Sequence, residues 1–498
     1  MTSLAELSDR HARAVSGVGS GGDALVVRIV APSLASLTDQ HLLTCLTNLL
    51  CRMAGSVSAI ELNVPETKMT VVMPHGGRGE LAFDAMVALA RWAVGDHVPV
   101  MRATAADERL TICLGASCGV AADLYAYGQG WIAWVGSSAP RARPLSKDAN
   151  PVGPYFAACL AAGEVFKRAR GLVRGRFAID DGYSLWDGIT GPLAQLNDGP
   201  PLTDHVLPPF YLVGAGAVGQ GLTAIIAASL MPAFVATIDD DIHDGTNLNR
   251  CFVAGTTDVG QPKVDAITRV RRMTGLSGAE FKGTLQQLVR HGPLGPMPDA
   301  MRDAQDKDSF DIIVSAVDRN TSRWDIQGLQ PRLAIGGSTD GLTAKAMAFG
   351  MLEGDPCLAC NNPREEDGAK LRQIEQTIRG LAPDDAREDL KKRGLTHDEI
   401  EAVMVFIRDA PGCGTAGERI LGALAASSPR EFSVSFVSMA AAILTFARLL
   451  TTTFCNEPVP ARPMMTSISF RNLSMADDAI AQDSTCPFCS KRRVAAPI

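Results

Sequence analysis

Apolar residues in this chain gather into short runs, separated by longer stretches with helical spacing, which is the pattern of alternating strands and helices. Ala24 to Val30 reads as a strand, Gln40 to Ala54 as an amphipathic helix, Val57 to Val64 as a second strand and Arg109 to Ala116 as a third. Phe210 to Ile238 contains no charged residue and by length alone could span a bilayer. A glycine turn and Pro232 break that run, so it divides into the strand, helix and strand of a buried βαβ unit. Pro262 is tolerated in a first helical turn, so Lys263 to Arg272 reads as a helix with Lys263 near its start. From Pro363 to Ala410 the chain turns charged and helical, with Thr396-His-Asp398-Glu399 as a capping-box start to a helix through Ile407. The uncharged stretch Phe432 to Ala447 then predicts a buried helix, and Met464 to Phe470 a last strand.

Composition narrows the classes. With 498 residues, the chain is long enough for two or three domains, and 46% hydrophobic with 20% charged residues is ordinary for a globular protein. A net charge of −7 argues against general nucleic-acid or anionic-membrane binding. Acidic Glu6 and Asp9 and the lack of an apolar core behind a basic start give no signal peptide, so a cytoplasmic enzyme is expected. Gly199-Pro200-Pro201 and Pro208-Pro209 mark a linker.

Candidate chemistry concentrates between Phe210 and Lys263. The turn Gly214-Ala-Gly216-Ala-Val-Gly219, following a strand and opening a helix, presents backbone N–H groups and a helix N-terminus to phosphate, and Asp239 at the end of the next strand can take ribose hydroxyls. Dehydrogenases share that much. Asn247, Arg250 and Lys263 just beyond the acid instead suit an enzyme that neutralises a triphosphate and expels pyrophosphate.

These residues, with Asp241, Asp258-Val-Gly260, Ser315-Ala-Val-Asp318 and Arg323, resemble the adenylation domain shared by ubiquitin-activating enzymes and the sulfur-carrier adenylyltransferases of thiamine and molybdopterin synthesis, the ThiF–MoeB superfamily. The resemblance covers roughly residues 205 to 360 and resumes near the C-terminus. It implies that Asp239 binds the ribose of ATP, that Asn247 and Arg250 hold its phosphates, that Lys263 lies on the triphosphate, and that Asp318 binds Mg²⁺. Arg319 stands where the family usually has Asn. Asp240 reads as a solvated neighbour, and Arg323 equally as a helix-surface ion pair or a catalytic group.

Twelve cysteines are too few for a disulfide scaffold. Cys45 and Cys51 sit in an apolar helical pattern, and Cys113 and Cys118 flank a strand end as small core residues. The pairs Cys357-Leu-Ala-Cys360 and Cys486-Pro-Phe-Cys489 predict a four-thiolate Zn²⁺ site stapling the chain's end onto the nucleotide domain, with a redox pair or unligated thiols as alternatives. Cys413 lies between glycines after the helical insertion, where exposure favours a reactive thiol; its position resembles that of the thioester cysteine in the family.

The first half lacks the glycine turn, with Ala31-Pro32-Ser33-Leu34-Ala35 after its first strand, and reads either as a βαβ domain that has lost its nucleotide loop or as an unrelated α/β domain. Ubiquitin-activating enzymes pair one inactive with one active adenylation domain, and the resemblance extends to this arrangement as an internal pseudo-dimer. It further implies that Arg13, with Arg10 beside it, reaches into the ATP site of the other half. The expected architecture is therefore α/β, with tandem Rossmann-like adenylation domains and mainly parallel sheets. The inactive domain covers residues 1–200, the active domain 201–362, an insertion with a crossover loop 363–430, and the C-terminal completion with the second knuckle 431–498. The expected function is ATP-dependent adenylation of a ubiquitin-like protein, followed by thioester transfer to a conjugating enzyme, similar to compact bacterial systems associated with phage defence. The alternatives are a sulfur-carrier adenylyltransferase without conjugation, a nicotinamide-dependent oxidoreductase, and a nucleotide-binding scaffold.

Overall fold

A computed structural model describes residues 3, 7, 23–105, 109–116, 118–140, 149–172, 180–203, 205–291, 299, 301, 310–350, 355–362, 377–393, 395–398, 400, 401, 403, 404, 434–454, 464–484 and 486–489. Its β-rich runs assemble two sheets. The first comprises β1 (Leu25–Val30), β2 (Val57–Asn63), β3 (Val100–Arg102), β4 (Leu110–Leu114), β5 (Leu124–Gln129), β6 (Ile132–Gly136), β7 (Asp181–Ser184) and β8 (Thr190–Gly191), in the order 3-2-1-4-5-6-7-8. The second comprises β9 (Phe210–Val213), β10 (Phe234–Asp239), β11 (Ser277–Lys282), β12 (Ile312–Ser315), β13 (Leu333–Asp340), β14 (Thr343–Phe349), β15 (Met465–Ser469) and β16 (Ser474–Asp478), in the order 11-10-9-12-13-14-15-16. Position for position the two sheets coincide: five parallel strands, then three successive antiparallel ones. That repeat makes the chain a tandem of Rossmann-like units. The short edge strand β3 has no counterpart in the hydrophobic pattern, so the strand at residues 110–114 is fourth rather than third.

Parallel strands are buried on both faces, which is why β9 is wholly apolar and wholly inside. The covering helices are α1 (Leu37–Cys51), α2 (Ala82–Val94) and α3 (Val152–Ala169) in the first half. In the second they are α4 (Ala217–Ser229), α5 (Lys263–Thr274), α6 (Leu285–His291) and α7 (Asn320–Gly328). Pro363–Phe432 forms a separate unit, in which α8 (Pro383–Lys392) turns Ala386 and Leu390 toward Ile378, Leu395, Ile400 and Val403. The final helix, α9 (Ser435–Thr453), joins the two halves. Its Ser435 Oγ donates to the carbonyl of Leu49 at 3.0 Å, and Phe436 packs against Phe166 with ring centres 5.5 Å apart. Although α9 is long and apolar enough to cross a membrane, 89% of its apolar window is buried, as in a core helix.

Where the second sheet has its glycine turn, the first has Ala31-Pro32-Ser33-Leu34-Ala35. Gln40 donates to the carbonyl of Leu34 at 2.9 Å and accepts from the amide of Thr70 at 2.7 Å, tying residues 34 and 70 together. The expectation for Cys113 and Cys118 needs correction. They pair as a disulfide, their Cα atoms 6.3 Å apart, which is within the reach of such a bridge.

Candidate functional site

The glycine turn sits where strand order reverses, since β9 pairs with β10 on one side and β12 on the other. Crevices beyond the carboxyl ends of such strands are where open α/β sheets bind ligands. Two of its glycines are required sterically. Gly214 adopts φ +103°, and a Cβ there would meet the carbonyl oxygen of Ala316 at 2.6 Å; a Cβ on Gly219 would lie 2.0 Å from the carbonyl oxygen of Gly214. Around Gly216, which caps α4, the space is open.

Asp239 ends β10 with both carboxylate oxygens engaged by backbone: the Ala215 amide donates to one at 2.5 Å and the Asp241 amide to the other at 2.8 Å. Burial raises its pKa above the ordinary carboxylate value, against the lowering effect of those two amides and of Lys263. Lys263 opens α5, and its Nζ lies 2.7 Å from Asp241 Oδ2. Desolvation would lower the lysine's pKa, but the hydrogen bond to Asp241 and the charges of Asp239 and Asp241 outweigh it and raise the pKa. The turn, Asp239, Asp241 and Lys263 at the first position of α5 therefore form one hydrogen-bonded chain.

Asn247 and Arg250 lie on the loop between β10 and α5. Asn247 is buried and its side chain is used locally: Nδ2 donates to Asp244 Oδ1 at 3.0 Å, and the amide of Asn247 donates to the same oxygen at 3.1 Å. Arg250 donates through Nη1 to the Thr246 carbonyl at 2.9 Å and to Asn249 Oδ1 at 3.1 Å. Asp258 accepts from the Gly255 amide at 2.7 Å and pairs with Arg269. Asp318 is exposed just beyond β12, with exposed Arg319 capping α7. Arg323 donates to the Val317 carbonyl at 2.8 Å and to Asn320 Oδ1 at 2.6 Å, which fixes this same loop. Arg13 and Cys413 lie outside the described residues.

Two side chains here carried no signal in the sequence pattern. Gln220 on α4 donates to the Ala215 carbonyl at 2.9 Å and lies 3.1 Å from His243 Nε2. His243 is buried, and burial lowers its pKa to about 4, so it stands as a neutral imidazole. Its backbone binds Gln261 and Gly260, pinning the segment that leads to Lys263.

A second cluster gathers Cys357, Cys360, Cys486 and Cys489, whose sulfurs all lie within 4.8 Å of one another. Individual S···S separations of 3.8, 3.6 and 3.4 Å compare with the roughly 3.8 Å that four thiolates about 2.3 Å from a tetrahedral ion would show. The donor set and spacing thus fit Zn²⁺. Leu358 is anchored to α7 by its amide, which donates to Gln327 Oε1 at 3.0 Å, and Trp324 on the same helix packs against Phe488 with ring centres 5.2 Å apart.

Comparison with known proteins adds a family. The model of the ThiF family matches residues 209–477. The chain is 26% identical over 215 residues to the uncharacterized protein y4jF of Sinorhizobium fredii (strain NBRC 101917 / NGR234), a match covering 42% of this chain and 38% of that protein, so the chain spans well under half of that relative's length. Among solved structures, E. coli MccB with ATP aligns at 15% identity and a TM-score of 0.32, over 57% of this chain and 66% of that one. E. coli MccB with MccA-N7isoASN aligns at 14% identity and a TM-score of 0.32, over 56% and 66%.

Proposed function

This chain belongs to the ThiF family, and we propose that it is an ATP-dependent adenylating enzyme that activates the C-terminal carboxylate of a ubiquitin-like protein. The observation that carries this reading is the linkage of the glycine turn, Asp239, Asp241 and Lys263 at the reversal point of the second sheet. A hydride-transferring enzyme has no use for a lysine fixed at that helix start, whereas a triphosphate does.

In the proposed reaction, ATP lies with its ribose hydroxyls donating to Asp239 and its phosphates toward the turn amides, Lys263 and Arg250. The partner's carboxylate oxygen attacks the α-phosphorus. The bond from that phosphorus to the bridging oxygen breaks, and pyrophosphate leaves with the electron pair, its charge spread over Lys263 and Arg250. Asp318 offers an exposed hard oxygen donor suited to Mg²⁺, which when bound neutralises phosphate charge. Arg13 is proposed as a further cation supplied from the first half. In a second step the Cys413 thiolate attacks the acyl carbon of the adenylate, a thioester forms, and AMP departs. A conjugating enzyme then receives the acyl group.

ATP–pyrophosphate exchange with candidate small proteins tests the first step, and failure with all of them would remove the adenylation reading. The second step should leave an adduct that survives denaturation, is cleaved by thiol reductant and is lost in Cys413→Ala while exchange persists. Exchange without any adduct in the wild type would instead favour a sulfur-carrier adenylyltransferase.

A further inference from the structure

The helix α1 of the half without a glycine turn ends in Arg52, a guanidinium with no solvent exposure. Among the described residues no carboxylate pairs with it. Its partners are oxygens of neutral groups: Asn48 Oδ1 at 2.6 Å, and the carbonyls of Leu248 at 2.7 Å, Phe252 at 3.1 Å and Ala254 at 2.8 Å. Asn48 adds a second contact, donating through Nδ2 to Phe252 O at 3.1 Å. Three of these four acceptors belong to the other half of the molecule, on the loop that carries Asn247 and Arg250.

A second element of the first half completes the cradle. Trp92 on α2 lies so close to Gly255 that a Cβ there would meet its Nε1 at 2.4 Å. Arg52 and Arg269 both stand over the Trp92 ring, 5.7 and 5.5 Å from its centre. Arg269 in turn pairs with Asp258 and donates to the Val253 carbonyl at 2.6 Å. The loop from residue 248 to 258 is thus gripped from outside at both ends.

Burying a guanidinium with no directly bonded carboxylate is costly, even with the charge of Asp258 in range, and a well-packed apolar side chain would hold two domains together with less penalty. What only a planar fork provides is a fixed set of directed donors that can hold several carbonyls in one geometry. We propose that Arg52, with Asn48, is a positioning residue for the nucleotide site of the opposite half: it locks the 248–254 backbone and thereby sets where Arg250 presents its charge. The half without a glycine turn then acts as the mould of the loop that carries that charge. This rests on the adenylation reading for its kinetic consequence but not for its structural one.

The test uses the full chain with Arg52→Met and Arg52→Lys, and Arg28→Met as a control in the same half, where Arg28 pairs with Glu61. In Arg52→Met, amide hydrogen exchange within residues 248–258 should accelerate at least tenfold while β1 and α3 keep their protection. The kcat for pyrophosphate exchange should fall at least tenfold with less than threefold change in the KM for the protein partner, and Arg52→Lys should recover part of both. Arg28→Met should leave loop and kinetics unchanged. Unaltered loop exchange in Arg52→Met, or uniform loosening of the whole first half, overturns the proposal. Should Arg52→Met not fold, the wild type still decides: the amides of Cys251 and Ala254, bonded to Asn247 O and Cys251 O, must exchange as slowly as those of α1, and rapid exchange there refutes the clamp. Absence of pyrophosphate exchange in the wild type removes the adenylation reading alone, because the hydrogen-exchange arm needs no catalysis.

Discussion

Lys263 at the start of α5 and Arg250 on the loop before it are held differently. Lys263 is paired with a carboxylate that is 70% exposed, a contact worth little in stability, so its ammonium can leave Asp241 at small cost. Among the described residues, the Arg250 side chain donates to neutral oxygens, the Thr246 carbonyl and Asn249 Oδ1. Arg250→Ala and Asp318→Ala are expected to lower pyrophosphate exchange by roughly 3 to 4 kcal/mol of transition-state stabilisation with little change in melting temperature; exchange at wild-type rate in either would sink their roles. Gly219→Ala should act differently, because its methyl would collide with the backbone oxygen of Gly214. Loss of ATP binding together with destabilisation of about 1 to 3 kcal/mol is the expected result, and a variant that binds ATP normally would show that the turn can yield. At this scale the sequence spoke clearly where chemistry is local: the glycines, Asp239 and Lys263 are set by a strand, a turn and a helix start. It singled out Asn247 but not the capping of its own loop that this side chain performs, and it was silent on Gln220 and His243, which meet only because residues 241–262 fold back over α4.

At the level of elements, the two cysteine knuckles join segments 129 residues apart. Each CxxC was legible because a tight knuckle presents both thiols to one point, but nothing local showed that the second would arrive beside α7. One Zn²⁺ per chain is expected on elemental analysis. Its removal by a chelator, or Cys486→Ser, should loosen the segments around residues 357–360 and 486–489, since structural zinc contributes on the order of 10 kcal/mol. Freshly purified, well-folded protein without metal would refute the site. The helices α5 and α9 were visible in the pattern because their faces are long and regular. Strand β3 was not, because its short edge segment carries only one apolar pair and a charge.

For the molecule as a whole, buried histidines impose a pH dependence. His41 and His243 are each 2% exposed, and desolvation brings both to about 4. In the unfolded chain they titrate near 6.5, so between those values the unfolded state binds protons that the folded state does not, and stability falls as pH is lowered. The slope reaches about 1.4 kcal/mol per pH unit for each histidine. Asp39 and Asp239 oppose this, because burial raises their pKa and protonation relieves the folded state as the medium becomes acidic. Urea unfolding at pH 7, 5.5 and 4.5 should show declining stability, less steep in His41→Gln; a flat or rising profile would contradict it. The duplicated architecture was partly legible, since strand and helix alternate in both halves, but only the matching order of eight strands distinguishes a repeat from a second unrelated domain. The bridging place of α9 also sets a timetable for synthesis. Its contacts with Leu49 and Phe166 require a segment translated roughly 280 residues after the first half's last helix, an interval on the order of 15 to 60 seconds at typical elongation rates. During that time the flank of the first half that carries Phe166 is without the helix that covers it in the finished fold.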